Sequence, residues 1–266
     1  MVWIILAALG ATPVFSPEGR DTAGITGTAA AAASENFLVT SYHPAHNARE
    51  VAALCEAWRA RLLRFCSAEH LPVWSPRCDV IVHANCGSYL AAVGAGGART
   101  YGSSLIRHRT AGQPASWRID FRGDSPHGLA AVPHELMHIV LADCLGRPAP
   151  RWADEGLAIL ADSQQKQLLH HRDLARGLAD RSAFRLAELV LLENYPPAWR
   201  VPAFYGQSAS LTAFLLARGE PETFIDFLQQ ALERGYDQAL RDCYQIEGLG
   251  ALERLWHAEQ SRGQAG

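Results

Sequence analysis

The stretch VPHELMHIVLADCLGRPAPRWADEGLAILA, Val132–Ala161, decides how this chain is read. Its first part carries the pentapeptide His134-Glu135-Leu136-Met137-His138, and its second carries Glu155, seventeen residues past His138. Residues i and i+4 of an α-helix share one face, so His134 and His138 can direct two imidazoles at one ion. Glu135 stands about 100° round the helix from His134, beside such an ion rather than on it. Chance alone would place an HExxH in a chain of this length about 2–3% of the time, so the pentapeptide is suggestive only. Glu155 adds weight. The segment Pro150–Ala161 around it is largely apolar and reads as a second helix. A carboxylate on such a face needs a partner, because an unpaired buried charge is costly. One zinc ion held by His134, His138 and Glu155 would be that partner, and three protein ligands with an open fourth position is the catalytic rather than the structural arrangement. The plainer alternative is a His- and Glu-bearing helix packed on another.

Composition narrows the rest. The chain has 266 residues, 48% hydrophobic and 19% charged, with a net charge of −3. That suits one domain of about 220 residues plus a leader, or two small lobes around a cleft. A near-neutral balance without a basic run argues against a nucleic-acid partner. No apolar stretch reaches the 18 or so residues that a membrane span requires. Val2–Leu9 resembles a secretory leader, with small residues at Ala8-Leu9-Gly10 but no Lys or Arg before them. The organisation expected is therefore an apolar leader over residues 1–15, a disordered tether over 16–36 and a folded domain over 37–262, in a secreted or periplasmic protein. Six cysteines (Cys55, Cys66, Cys78, Cys86, Cys144, Cys243) permit three disulfides or six thiols. Cys55 and Cys66 are too far apart along one helix to pair with each other. Cys78 and Cys86 can pair only where the chain doubles back.

Along the chain, Phe37–Ser41 and Asp79–His83 read as strands, and Ala45–Glu69 as a long amphipathic helix with Val51, Leu54, Trp58, Leu62 and Phe65 on its stripe. Ser88–Val93 is a short helix ended by Gly94-Ala95-Gly96-Gly97. Tyr101–Ile106 is a third strand, and Trp117–Arg122 alternates apolar and charged residues, which buries one face. The HExxH helix is expected to begin near Ser125-Pro126, capped by Asp124 or Ser125, with either a kink or a fresh start at Pro133. His127 then falls two turns before His134. From Gln164 to Ser261 the pattern is helical, broken at Gly177, Pro196-Pro197, Gly219-Pro221, Gly235 and Gly248, with His170 and His171 facing solvent and His83 structural at a strand end. The fold class is α+β, a small mixed N-terminal sheet with the HExxH helix and a helical C-terminal half.

The pair PHELMH and PRWADEGLA resembles the gluzincin metallopeptidases, specifically the peptidase MA-like group. Ala203–Ala209, the helix Leu211–Arg218 and the tail from Asp237 to Trp256 are also similar, over roughly residues 37–259. The resemblance implies a zincin-like fold and hydrolysis of a peptide or protein substrate, as an endopeptidase or an aminopeptidase-like hydrolase. It places one Zn2+ on His134, His138 and Glu155, with Glu135 as general base. It implies that an extended peptide adds along Trp117–Phe121 as an extra strand. It also makes Tyr205 the candidate donor to the oxyanion, beside the plainer role of a core aromatic. One departure stands out: some gluzincins carry a carboxylate one turn after the ligand Glu, and that position here is Ile159, so Asp143, Asp154, Asp162 or a backbone carbonyl would have to orient the imidazoles. Two other readings keep their place, a zinc-binding peptide-recognition domain without catalysis and an extracellular scaffold with an accidental HExxH. An intact Glu135 argues against the former.

Overall fold

Strand β2 (Phe37–Ser41), strand β3 (Cys78–His83) and strand β5 (Ser116–Arg122) form the parallel centre of a five-stranded sheet. Strand β1 (Ala30–Ala33) and strand β4 (Gly102–Arg107) flank it antiparallel, in the order β1-β2-β3-β5-β4. The computed structural model describes residues 29–263. They fall into two compact units, one of residues 29–64 and 68–140 that contains the sheet, the other of residues 65–67 and 141–263 that is helical. The protein is α+β, with a helical C-terminal half.

Period-2 patterning builds the sheet. Val39, Val80 and Ile119 lie in one register row and are fully buried. The opposite face carries the row Leu38, Asp79, Arg118 and Leu105. Helix α1 (Ala48–Phe65) connects β2 to β3, with Val51, Cys55, Trp58 and Leu62 buried at helical spacing. Asn36 ties the start of β2 to α1, since its backbone N–H and Nδ2 donate to the two Glu56 carboxylate oxygens at 2.7 and 2.8 Å. Helix α2 (Cys86–Val93) follows β3 behind an Asn85–Ser88 capping box.

Three expectations are corrected in this unit. Ala30–Ala33, placed in the tether by composition, pairs with β2 instead, because main-chain hydrogen bonds do not need large side chains. Trp117–Phe121 has no free edge: β3 and β4 pair with its two sides, and the open edge at that end of the sheet belongs to β4. Alternation reports which face is buried, not how many neighbours a strand has. The HExxH helix α3 (Val132–Leu145) does not begin near Ser125-Pro126; the alternative of a fresh start at Pro133 holds to within one residue, since α3 starts at Val132 after a short 3-10 turn at Leu129–Ala131, and Pro133 sits in the first turn, where its missing N–H costs nothing. His127 is therefore not on that helix, and Asp124 instead accepts from Arg122 and from the Cys86 backbone N–H. The leader over residues 1–15, and the tether before residue 29, lie outside the described residues.

The helical unit contains α4 (Arg151–Ala161), α5 (Gln164–Ala179), the short α6 (Leu186–Leu189), α7 (Val201–Leu216), α8 (Pro221–Arg234), α9 (Tyr236–Tyr244) and α10 (Gly248–Gly263). Helix α7 is buried on most sides, and its neighbours approach it at glycines. A Cβ on Gly156 would lie 2.1 Å from Thr212 Oγ1, and one on Gly206 would lie 2.5 Å from the His170 carbonyl oxygen. Gly177, expected as a break, continues inside α5, because its missing side chain admits Ala203 of α7. The buried Gln207 amide fastens the chain before α6, accepting from the Phe184 N–H at 2.8 Å and donating to the Phe184 carbonyl at 2.7 Å. Trp152 Nε1 donates to the Tyr236 hydroxyl at 3.0 Å, which in turn donates to the Val190 carbonyl.

Because the atoms facing Gly206 are α5 backbone rather than flexible side chain, Gly206→Ala is expected to push α5 off α7 and to lower unfolding stability by about 2 kcal/mol or more. Urea denaturation followed by circular dichroism measures this; a change within about 0.5 kcal/mol, the usual range of neutral surface substitutions, would refute the close crossing.

Candidate metal centre

Helix α3 is apolar around its polar pair. Leu136, Met137, Ile139, Val140 and Leu141 are at most 1% exposed, which fixes the helix about its own axis. The i, i+4 spacing then sets His134 and His138 one turn apart on one side, with ring centroids 4.9 Å apart and planes at 81°. His138 is buried and His134 half-buried.

Glu135 is 7% exposed and lies against the first residue of β4. A Cβ on Gly102 would stand 2.8 Å from Glu135 Cγ and 2.9 Å from its Oε1, so the carboxylate occupies room that only a glycine leaves. Tyr89, fully buried on α2, holds that glycine in place: its hydroxyl donates to the Gly102 carbonyl at 2.8 Å and meets Thr100 Oγ1 at 2.6 Å. Burial, with the Glu135 and Asp120 charges adding to it, pushes the Tyr89 hydroxyl up to about 12, so it keeps its proton for this bond. Behind Tyr89, edge-on at 5.9 Å, is the His83 ring, whose Nε2 lies 2.7 Å from Asp120 Oδ1. Arg118 caps the same carboxylate through Nε at 2.8 Å and Nη2 at 2.7 Å. His83 is thus a buried structural partner.

Glu155, on α4, is 3% exposed. Its Oε1 accepts a hydrogen bond from the hydroxyl of Tyr195, a residue in the loop between α6 and α7. Burial first, then the charge of Glu155 and the hydrogen bond to it, raises the Tyr195 hydroxyl well above the usual tyrosine range. The Arg151 guanidinium, one turn before Glu155, lies over the Tyr195 ring at 4.8 Å. Sequence reasoning selected Tyr205 and missed Tyr195. Tyr205, in the first turns of α7, stands among Tyr195, Phe204 and His170, with ring centroids 6.2, 5.5 and 5.6 Å away. His170 is accordingly turned towards Tyr205 and Asp173 rather than to solvent, whereas His171 is exposed. Ile159 is buried, and Asp162 accepts from Lys166 Nζ at 2.8 Å. The six cysteines are thiols, and burial raises those of Cys55 and Cys78 far above their ordinary range. Among the described residues no helix is long and apolar enough to cross a membrane.

Gly102→Ala is expected to turn the Glu135 carboxylate away while leaving the β4–β5 register intact, because the obstructing atoms are a flexible side chain and not backbone. A crystal structure of the variant decides this; an unmoved Glu135 would contradict the contact. No family model, curated protein or solved structure matches this chain.

Proposed function

We propose that the chain is a zinc-dependent peptidase of gluzincin type, with His134, His138 and Glu155 holding one Zn2+ and Glu135 as general base. The observation that carries the reading is the donor types at their places in the two helices: His134 and His138 lie one turn apart on one side of α3 with Glu135 next to His134 in the chain, and Glu155 is a buried carboxylate on α4. Two imidazole nitrogens and a carboxylate oxygen suit zinc and leave a position open, which distinguishes the set from a closed structural site. Held by these residues, a zinc ion would supply Lewis acidity, lowering the pKa of water and polarising a substrate carbonyl.

The chain's own residues account for the rest. Glu135 receives the proton of the attacking water and delivers it to the leaving nitrogen. Its seat on Gly102 limits the positions its carboxylate can take, which is what positioned proton transfer requires. Tyr195 holds Glu155 by a hydroxyl that does not titrate near neutral pH, so the ligand carboxylate keeps one orientation. Tyr205 is the proposed donor to the oxyanion. An extended substrate would add along the open edge of β4, whose first residue faces Glu135.

Two measurements test this. Purified protein is expected to contain close to one zinc per chain by elemental analysis and to cleave members of a peptide library; Glu135→Gln should retain the metal and lose turnover by about 10²-fold or more. Full activity of the Gln variant, or no stoichiometric zinc in the wild type, sinks the proposal, and zinc with no turnover on any peptide leaves only the recognition-domain reading. Tyr195→Phe should weaken zinc binding by about tenfold or more, read by chelator competition. An unchanged affinity would remove Tyr195 from its holding role.

A further inference from the structure

Away from these residues, the helical unit contains an open cavity of about 610 Å³ bounded by the end of α4, by α5, by α7 and by α10. Its origin lies in the packing of α7. Gly206 brings α5 against α7, and beyond that crossing α7 presents Ala209, Ser210 and Ala213, side chains too short to fill the space. Protein interiors otherwise close such gaps. Leu160, Leu174, Leu178 and Phe214 complete an apolar wall, and the volume falls in the range of small-molecule sites.

The mouth is charged, and its balance is positive. Glu259 is already paired, since its Oε2 accepts from Arg218 Nη2 at 2.9 Å. Arg262, one turn along α10, is exposed and makes no ion pair or hydrogen bond among the described residues, and the exposed His171 stands on the facing helix. An apolar slot under an unpaired guanidinium is complementary to an aliphatic chain ending in a carboxylate. We propose that this cavity binds a free fatty acid, its chain along the α5–α7 wall and its carboxylate at Arg262. The choice of a single-chain ligand over a protein segment follows from the volume of about 610 Å³ between walls on four helices, and the choice of an anionic head follows from Arg262. The site shares none of the residues assigned to the zinc reading and does not depend on it.

Isothermal titration of the full chain with octanoate, decanoate and dodecanoate, each below its micelle concentration, tests the proposal. Saturable 1:1 binding is expected, tightening about fourfold per added methylene until the cavity is full. Arg262→Gln should weaken dodecanoate about five- to tenfold and leave dodecanol unchanged, the loss of one charged hydrogen-bonding partner. Ala213→Phe, checked for folding by circular dichroism, should abolish binding of the longer chains by occupying their space; where that variant fails to fold, the chain-length series and Arg262→Gln decide. Binding that does not vary with chain length, an Arg262→Gln variant that loses dodecanol and dodecanoate equally, or binding confined to phosphatidylglycerol vesicles would each overturn it.

Discussion

Burial of carboxylates and imidazoles within apolar helices is the constraint on which the molecule turns. Glu135, His138 and Glu155 are each less than one-tenth exposed, on helices whose other side chains are almost wholly aliphatic or aromatic. A buried charge without partners costs several kcal/mol, so each of these groups obliges its surroundings to supply donors, room or a cation. The surroundings respond differently at each position. Around Glu135 they supply room, through the absent side chain of Gly102. Around Glu155 they supply a donor, through the Tyr195 hydroxyl. A hydroxyl meets one lone pair of that carboxylate and fixes its orientation without bringing a charge of its own.

Much of the fold was legible in the sequence because burial leaves a periodic trace. Phe37–Ser41, Cys78–His83 and Ser116–Arg122 show it at period two, and α1 shows it at helical period. What escaped was set by pairing and close approach, which leave no such trace. Four alanines carry no strand signal, yet β1 forms because β2 offers an edge. Gly177 reads as a breaker until Ala203 of α7 is seen against it. The fresh helix start at Pro133 was legible, but the 3-10 turn at Leu129–Ala131 before it was not.

The candidate ligands were legible for a different reason: their spacing along one helix and their place in a second are properties of local sequence. Their supports were not. Tyr195 comes forty residues after Glu155, in an irregular loop before two prolines, and nothing local distinguishes it from Tyr205, which stands at the start of a clear helix. Gly102 did carry a signal that can be read, since a glycine inside a strand often marks a close approach. Its partner could not be named from the chain alone.

The sheet contributes to Glu135 through an ordered succession of contacts rather than through any single one. Arg118 neutralises Asp120, the one acidic side chain buried in the sheet, and His83 lies within hydrogen-bond distance of the same carboxylate. His83 packs edge-on to Tyr89, Tyr89 grips the Gly102 carbonyl, and Gly102 seats Glu135. Each link is individually modest, about 1 kcal/mol for a neutral hydrogen bond. Their value lies in directional restraint. A carboxylate that must meet a proton in one position gains more from a wall that cannot retreat than from a stronger bond to a mobile partner, and a backbone carbonyl fixed by a buried tyrosine is such a wall. The same reasoning explains why the succession ends on a glycine: only a residue without a side chain lets the strand backbone itself form the seat.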